Sequence, residues 1–355
     1  MALTLTLRPL VSVGGTAAAD DRALAGGPLR FDRCEAVVRD GPRECARAVV
    51  DAGRAVAWAE EFGLAAAAQD LLRRLSAERP AFAGLELRPP RVMGVINVTP
   101  DSFSYGGDRF DAGRAIADGL AMREAGAAIL DVGGESTRPG ATPVPVEDEV
   151  RRVVPVVAGL ARAGALVSID SRHAAVMAAA LDAGARIIND VTALAGDPES
   201  LALAARQQVA VVLMHMLGEP RTMQRQPRYD DAPLDVYDFL AARVAACVAA
   251  GIPPARIAVD PGIGFGKALA HNLCILGHLA VLHGLGCAVV LGVSRKSFIG
   301  RAAGSGPAVE AAKARLPGSL AGALAGVARG AQIIRAHDVA ETVQALALWT
   351  AIEGA

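Results

Sequence analysis

Between residues 91 and 355, eight short apolar runs each end in a polar or charged residue. Uninterrupted Val, Ile and Leu runs of this length are typical of strands that are buried on both faces. Alanine-rich segments of helical length separate the runs, so the pattern predicts an α/β fold, a TIM (β/α)8 barrel. The eight runs are 92–97, 128–131, 166–170, 186–190, 210–215, 257–260, 288–294 and 332–335.

The polar residues at the ends of these runs are expected to meet at one mouth, because the carboxyl ends of barrel strands converge. A buried carboxylate is costly unless it is paired, so several carboxylates at one mouth indicate a ligand or a cation. The alternative for any one of them is a cap on the following helix. The residues concerned are Asn97, Asp131, Asp170, Asn189, Asp260 and Arg335.

The chemistry of these groups favours a flat heterocyclic ligand. A carboxylate offers two acceptors that match adjacent N–H donors, and the amide of Asn189 offers one donor and one acceptor. Met214 and Met216, on either side of His215, either pack against such a ring or belong to the barrel core. A single histidine such as His215 is more typical of a hydrogen-bonded core residue than of a catalyst.

Basic residues follow the same strands and favour an anionic ligand. The loops after the seventh and eighth strands form the usual phosphate site of this fold, and arginine can hold phosphate through two parallel N–H bonds. We therefore predict a phosphorylated or pyrophosphorylated substrate that is held by local basic groups. The basic candidates are Arg138, Lys267, Arg295, Lys296, Arg335 and His337.

A glycine-rich segment at 260–267 follows the sixth run. Its spacing is neither GxxxxGK[ST] nor GxGxxG, so the nucleotide-binding interpretation fails. We interpret it as a loop that brings the backbone close to a ligand, with Phe265 exposed to stack on that ligand. Polar loops rich in Gly and Pro, at 99–107, 133–140 and 217–233, are also expected to carry the site or a lid.

Residues 1–90 exceed what a barrel of roughly 250 residues needs and form an N-terminal extension of unknown role. The pattern predicts an edge strand at its start, a possible strand at 35–39, and a helical stretch at 45–75 that contains Trp58. No residue of the extension suggests chemistry. The Pro89-Pro90 pair cannot continue a helix and marks the predicted boundary with a barrel at 91–355.

Composition argues against several classes of partner and location. Lys and Arg number 36 against 37 Asp and Glu, a net charge of −1, and no basic run is interleaved with aromatic residues, so no nucleic-acid binding is expected. The five cysteines show no CxxC spacing, which fits reduced thiols in the cytoplasm. Neither a signal peptide nor an apolar run of roughly 18 residues is found, so no export and no membrane span are predicted.

Five segments together closely resemble the signatures of the dihydropteroate synthase family. They occur in the family's order, and the resemblance covers essentially all of residues 91–355. The segments are NVTPDSFSYGG at 97–107, DVGGESTRPG at 131–140, DPGIGFGK at 260–267, SRKS at 294–297 and RAHD at 335–338. The chain departs from the family's pattern at Tyr105, Ile263 and Ala336, none of which removes a group assigned to the site.

This resemblance implies a reaction and its partners. Members of the family are TIM barrels, generally homodimers, that join 6-hydroxymethyl-7,8-dihydropterin diphosphate to 4-aminobenzoate and release pyrophosphate in folate synthesis. Mg²⁺ is the implied cofactor, with Asn97 as its protein ligand. The attacking group is a neutral arylamine, so no residue is expected to serve as a dedicated catalytic acid or base.

The resemblance also implies roles for individual residues. Gly292 is counted among the substrate-binding residues, and Met214 is expected against the pterin ring. Asp131 is expected to support the second loop rather than to bind a ligand. The residues around the pterin would be Asp170, Asn189, Asp260 and Lys296. Those that face the diphosphate would be Thr137, Arg335 and His337. Those that frame the aminobenzoate, where sulfonamides compete, would be Arg138, Pro139, Phe265, Lys296 and Ser297.

Two other functions fit parts of the pattern. A methyltetrahydrofolate-type pterin methyltransferase shares the pterin-facing Asp and Asn positions but has no need of the diphosphate and aminobenzoate loops. A non-catalytic pterin-binding barrel should have lost some of the site residues, whereas every matched position is filled here. Pyrophosphate release on addition of both substrates would separate dihydropteroate synthesis from the methyltransferase, and complementation of a strain that lacks the synthase would be the most informative single experiment.

Overall fold

The computed structural model describes residues 3–12, 21–98, 111–136, 143–219, 222–304 and 312–353. The N-terminal extension contains β1 (Thr4–Pro9), β2 (Arg22–Ala23), β3 (Arg30–Phe31), β4 (Arg33–Asp40), β5 (Arg43–Asp51), α1 (Ala55–Glu60) and α2 (Ala65–Ser76). Three of its strands form an antiparallel sheet in the order β1-β4-β5, and β2 pairs with β3. The predicted edge strand at the start of the chain is therefore present as β1.

The predicted helical stretch at 45–75 is wrong in its first part. Cys45 lies in β5, and the first helix begins only at Ala55. Along β5 half-buried and exposed residues alternate, which is the two-residue period of a strand. The chain reverses at Gly41, whose φ of 60° suits a tight turn, and β5 then pairs with β4. Alanine-rich composition had masked this alternation.

Eight parallel strands close into a barrel, which confirms the TIM fold predicted from the apolar runs. The strands are β6 (Arg91–Asn97), β7 (Ile129–Gly133), β8 (Val167–Asp170), β9 (Ile187–Asp190), β10 (Ala210–Met214), β11 (Ile257–Asp260), β12 (Ala288–Gly292) and β13 (Ile333–Ala336). Each strand pairs with the next one in the sequence, and β13 pairs with β6 to complete the circle. The first strand of the barrel thus begins directly after Pro89-Pro90.

Helices follow the strands and surround the barrel. They are α3 (Ala112–Glu124), α4 (Val146–Arg162), α5 (Ala174–Asp182), α6 (Ser200–Gln207), α7 (Ala232–Ala249), α8 (Leu269–Gly277), α9 (Ser297–Ala302), α10 (Leu316–Val327) and α11 (Val339–Glu353). Asp111 and Asp231 start α3 and α7 as N-caps, since their carboxylates accept backbone N–H groups of the first turn. A seven-residue 3-10 helix, Leu279–Leu285, lies between α8 and β12.

The end of the extension closes the floor of the barrel. Phe82 and Leu87 are buried there in an apolar cluster with the first residues of several strands, such as Ile129, Ile187 and Ile333. Phe82 and Leu85 pair through both of their backbone N–H groups, so residues 82–85 form a tight turn beneath the strands. The amino-terminal end of the barrel is therefore filled, and the open mouth is the end where the strands finish.

Charged groups also tie the extension to the barrel. Arg39 of β4 holds the carboxylate of Asp238 in α7 through two hydrogen bonds of 2.8 Å. The buried guanidinium of Arg79 donates to the backbone oxygens of His283 and Cys287 at the end of the 3-10 helix. Carbonyl groups at a helix end carry partial negative charge, so they stabilise this cation. The extension therefore braces the outside of the barrel as well as its floor.

All five cysteines are free thiols, in agreement with the absence of a disulfide pattern in the sequence. Within the part of the chain that the structure describes, no helix combines the length and the apolar character needed to cross a bilayer. A cytoplasmic location and the absence of nucleic-acid partners remain predictions.

Candidate active site

The register of the barrel places the predicted site residues of neighbouring strands at one level. Asn97 of β6 pairs with Gly133 of β7, Gly133 pairs with Asp170 of β8, and Asp170 pairs with Asn189 of β9. Each of these residues lies at or next to the end of its strand. The sequence pattern therefore correctly predicted that Asn97, Asp170 and Asn189 lie at the same end of the barrel.

Arg335 joins two of the carboxylates across the mouth. Its Nε donates to Oδ2 of Asp131, and its Nη2 donates to Oδ2 of Asp170, both at 2.6 Å. Burial alone would lower the pKa of Arg335, but Asp131 and Asp170 outweigh that effect and raise it above its usual value. The guanidinium is therefore a fixed positive charge at the carboxyl ends of the strands.

Asp170 is held close to its protonation midpoint at neutral pH. Burial raises its pKa to about 7, and the negative charge of Asp131 acts in the same direction, whereas Arg335 opposes both. Two carboxylates share one guanidinium, so the charge of each is only partly compensated. A ligand that donates N–H groups to Asp170 would supply the missing stabilisation.

Asp131 differs from its expected role as a support for the second loop. Its fully buried carboxylate accepts hydrogen bonds from Arg335 and from Nδ2 of Asn189, the latter at 3.0 Å. Asp131 therefore orients two residues of the mouth. The residues on either side of the second loop are instead joined by Glu135, whose carboxylate accepts hydrogen bonds from the backbone N–H of Val144 and from the guanidinium of Arg172. Spacing alone could not distinguish the two acidic residues, since both belong to the same motif.

Asp260 and Lys296 form the opposite side of the mouth. Oδ1 of Asp260 accepts the backbone N–H of Gly262 at 2.7 Å, and burial raises the pKa of this carboxyl while Lys296 opposes the rise. Burial lowers the pKa of Lys296 to about 8, although Asp260 acts against it. Nζ of Lys296 donates to the carbonyl of Ile263 and lies 4.8 Å from the centre of the Phe265 ring.

Gly292 lies among these groups. A side chain at this position would begin 3.8 Å from Nζ of Lys296, 3.9 Å from Oδ2 of Asp260 and 3.8 Å from Cβ of Arg335. Three charged residues therefore surround Gly292 at van der Waals distance from where a Cβ would lie. This geometry supports the prediction that Gly292 is a substrate-binding position, because a ligand can approach the backbone there.

The glycines after β11 are required by backbone geometry. Gly262 and Gly266 have φ angles of 65° and 62°, and a Cβ at either position would collide with a carbonyl oxygen, of His215 and Leu217 respectively. The turn returns over the end of β10 and presents Phe265 half-buried beside Lys296. This supports the interpretation of the segment as a close-approach loop.

His215 and Lys267 hold this turn in place. Lys267 is almost fully buried, and its Nζ contacts Nδ1 of His215 at 2.8 Å and donates to the carbonyl of Phe265 at 3.0 Å. Burial, reinforced by the charge of Lys267, lowers the pKa of His215 to about 3. His215 is therefore neutral and structural, as its sequence context suggested. Lys267 stabilises the loop and does not act as an anion ligand.

The remaining described candidates lie around the same mouth. Met214 is buried at the end of β10, paired in register with Asp260. His337 bonds to Ser294 twice, through its backbone N–H at 3.2 Å and through Nδ1 at 3.1 Å. Ser297 is exposed as the first residue of α9. Arg295, which the sequence offered as a phosphate ligand, instead forms an ion pair with Asp338.

Three predicted residues of the second loop, Thr137, Arg138 and Pro139, lie outside the described residues, as does the first loop at 99–110. Sequence reasoning missed Ser294 and the carbonyl of Ile263. Ser294 follows the seventh strand, and its position at a strand end was a usable signal. A backbone carbonyl carries no sequence signal, so the acceptor that Lys296 uses could be found only from the structure.

Comparison with known proteins agrees with this geometry. The family described as pterin binding enzyme matches residues 93–337. The dihydropteroate synthase of Escherichia coli (strain K12) is 46% identical over 263 residues, which are 74% of this chain and 91% of that protein. A Xanthomonas albilineans dihydropteroate synthase, solved with 4-aminobenzoic acid, has a TM-score of 0.71 and 48% identity and covers 77% of this chain and 97% of its own.

One relative also matches the extension. A probable bifunctional folylpolyglutamate synthase/dihydropteroate synthase of Haloferax volcanii is 41% identical over 353 residues, covering 95% of this chain but 40% of that protein. A match of that extent includes most of residues 1–90. By motif, fold and similarity over the whole barrel, the chain belongs to the pterin-binding enzyme family and, within it, to the dihydropteroate synthases.

Proposed function

We propose that the mouth formed by Asp170, Asn189, Asp260 and Lys296 binds the dihydropterin ring of the substrate. The enzyme is a transferase that joins 6-hydroxymethyl-7,8-dihydropterin diphosphate to 4-aminobenzoate and releases pyrophosphate. The observation that supports the assignment most directly is the convergence of Asp260 and Lys296 on Gly292, whose Cβ position lies 3.8 Å from Nζ of Lys296 and 3.9 Å from Oδ2 of Asp260. Carboxylates on two sides match the N–H edge of a pterin, and Lys296 can donate to its carbonyl oxygen.

Arg335 and His337, with Thr137, are proposed to face the diphosphate. Two nitrogens of Arg335 are bonded to carboxylates, and its side chain retains 22% exposure, so the guanidinium can also present N–H groups to an anion. His337 sits at the end of β13, where barrels commonly bind phosphate.

Asn97 is proposed as the protein ligand of Mg²⁺. Its amide oxygen is a hard donor at the mouth, and Mg²⁺ commonly keeps several waters and uses few protein ligands together with substrate phosphates. The residues present therefore fit this ion. When bound, Mg²⁺ would neutralise charge on the diphosphate as the leaving group departs.

The aminobenzoate is proposed to lie further out, framed by Phe265, Lys296 and Ser297 together with Arg138 and Pro139. Phe265 offers an aromatic face, and Lys296 lies over that face within cation–π distance. Sulfonamides are expected to compete for this outer part of the site.

Positioning and charge stabilisation are sufficient for the proposed chemistry. The bond between the pterin methylene and the diphosphate oxygen breaks, the electron pair leaves with pyrophosphate, and the arylamine nitrogen forms the new bond to carbon. Arg335 would stabilise the negative charge that builds on the leaving group. The nucleophile is neutral and releases its proton after attack, so the reaction needs no base such as His215, which is inaccessible and bonded to Lys267.

Activity should depend on pH through two groups of the pterin site. Asp170 must be ionised to accept N–H groups, so kcat/KM for the dihydropterin diphosphate should fall below its pKa of about 7. Lys296 must be charged to donate, so kcat/KM should also fall above its pKa of about 8. In Lys296→Arg, whose guanidinium stays charged, the alkaline limb should move to higher pH. An unchanged alkaline limb in this variant would show that another group is responsible.

The proposed activity is tested by mixing the purified protein with both substrates and Mg²⁺ and measuring pyrophosphate. Release should require the dihydropterin diphosphate and 4-aminobenzoate together, and a sulfonamide should raise the apparent KM for 4-aminobenzoate without lowering kcat. Release with the pterin substrate alone, or no release at all, would contradict the proposal.

A homodimer belongs to the same proposal. Leu348 and Ile352, one turn apart on α11, are 64% and 62% exposed, and apolar pairs of this kind suit coverage by a second copy. Sedimentation equilibrium should give twice the mass of the chain, and the double substitution Leu348→Glu with Ile352→Glu should give the monomer. A monomeric parent protein would contradict the assignment.

A further inference from the structure

Three side chains from two neighbouring βα units converge at one point. Glu135 follows β7, Glu149 lies in the first turn of α4, and His173 follows β8 and precedes α5. One donor atom of each residue lies within 4.8 Å of a donor atom of the other two. Two carboxylates and one imidazole, supplied by three separate segments, are therefore gathered together.

Glu149 is the member of this cluster whose charge is least compensated. Its side chain is fully buried, and its Oε2 contacts Nδ1 of His173 at 2.8 Å. Its Oε1 is buried as well, and within the described part of the chain no group donates a hydrogen bond to it. An ionised carboxylate in such surroundings is costly unless a cation or further donors answer its charge. A neutral imidazole at one oxygen supplies only part of that compensation.

Arg172 compensates the other carboxylate of the cluster. Its Nε donates to Oε2 of Glu135 at 2.8 Å, and its Nη2 donates to Oε1 at 3.1 Å. Burial raises the pKa of Glu135, but the bonds from Arg172 and from the backbone N–H of Val144 hold that pKa below its usual value. Glu135 is therefore an anion. One guanidinium against two carboxylates leaves one negative charge, which favours a further cation.

The types of donor favour zinc over magnesium. Zn²⁺ binds both imidazole nitrogen and carboxylate oxygen, whereas Mg²⁺ prefers oxygen ligands and keeps several of its waters. Neighbouring ligands of a zinc ion, each about 2.0–2.1 Å from it, lie roughly 3–3.5 Å apart. Small rotations of the side chains therefore suffice to bring the three donors around one ion, with water completing its coordination. The imidazole proton moves from Nδ1 to Nε2 as the metal takes its place.

We propose that Glu135, Glu149 and His173 form a zinc site that joins the end of β7 to the starts of α4 and α5. The site shares no residue with the proposed Mg²⁺ ligand Asn97, and it does not depend on the proposed reaction. The bound ion balances the buried charge of Glu149. Its role is structural, because one ion then links three segments of the chain.

The test titrates the purified protein with Zn²⁺ by calorimetry in the presence of excess Mg²⁺, which keeps zinc from sites made of oxygen ligands alone. Every protein carries Cys274→Ser, because exposed Cys274 lies with its Sγ 3.8 Å from Nδ1 of His278, a pair that can bind zinc by itself. In this background one zinc ion per chain should bind with a dissociation constant of about 1–10 μM. His173→Ala and Glu149→Gln should each weaken binding by about 100-fold.

His278→Gln is the matched control, since it removes a histidine outside the cluster, and it should leave zinc affinity unchanged. Arg172→Met should tighten zinc binding about tenfold, because it removes a cation that repels the metal. Thermal unfolding without metal shows whether each variant is folded. Added zinc should raise the melting temperature of the Cys274→Ser protein but not that of its His173→Ala derivative.

Equal zinc affinity in the folded His173→Ala variant and in its parent would overturn the inference, as would the absence of saturable binding up to millimolar Zn²⁺. Cobalt(II) in place of zinc identifies the donors, because a thiolate ligand adds a strong near-ultraviolet charge-transfer band that imidazole and carboxylate do not. A cobalt spectrum without that band, lost in Glu149→Gln, is the expected result. A thiolate band would assign the metal to a cysteine and reject the site.

Discussion

Asp260→Asn is expected to weaken binding of the dihydropterin diphosphate about 100-fold without unfolding the barrel. Asparagine has the same shape and keeps one oxygen to accept the N–H of Gly262, so the local turn should survive. It loses the negative charge that faces Lys296 and the second acceptor, which lies beside Gly292. The pterin would then meet one N–H donor in place of an acceptor, which converts an attractive contact into a repulsive one.

Isothermal titration calorimetry with the dihydropterin diphosphate, together with thermal unfolding of each protein, measures the two quantities separately. Asp182→Asn is a suitable control, because Asp182 is an exposed carboxylate at the end of α5 and lies outside the mouth. Unchanged pterin affinity in Asp260→Asn would remove Asp260 from the pterin site. A large loss of melting temperature would show that the carboxylate is needed mainly for the fold.

Arg335→Met should lower kcat/KM by about 100- to 1000-fold and destabilise the protein by about 3–5 kcal/mol. The substitution removes a cation aimed at the leaving group, and it leaves Asp131 and Asp170 next to each other without a counter-charge. Asp131 is fully buried and cannot be compensated by water. The loss of stability and the loss of activity thus have different causes, and they can be measured apart.

Addition of Asp131→Asn to Arg335→Met provides that separation. The double variant should regain part of the unfolding free energy in urea titrations, since it removes one uncompensated charge, but it should recover no pyrophosphate release. Arg301→Met, at an exposed arginine of α9, should match the parent in both measurements. Recovery of activity in the double variant would contradict the assignment of Arg335 to the diphosphate.

The barrel was predictable because buried parallel strands leave a simple pattern. Each apolar run from 92–97 to 332–335 became a strand, and polar residues such as Asp170 and Asp260 came to the mouth because all the strands run in the same direction. The error at β5 has the opposite origin. The burial of β5 does alternate, but alanines occupy two of its half-buried positions, Ala46 and Ala48, so the alternation is weak in hydrophobicity.

Other features depend on contacts between residues that are distant in the sequence. The pairing of Arg335 with Asp131 joins residues 204 positions apart, on strands β13 and β7 with β6 between them, and determines which carboxylates can bind a ligand. The sequence predicted that Asp131 supports the second loop, whereas Glu135, four residues later, is the acidic residue whose carboxylate joins the segments on either side of that loop. Both are acidic residues of one motif, and only the positions of Arg335 and Arg172 distinguish them.

The floor formed by Phe82 and Leu87 has a kinetic consequence. With one end of the barrel filled, both substrates and both products must pass through the same mouth. Asp260 lies deep and Ser297 lies at the surface, so the ligand that reaches Asp260 occupies the inner position. An aminobenzoate seated first would obstruct the entry of the pterin. Substrate binding is therefore expected to be ordered, with the dihydropterin diphosphate binding before the arylamine.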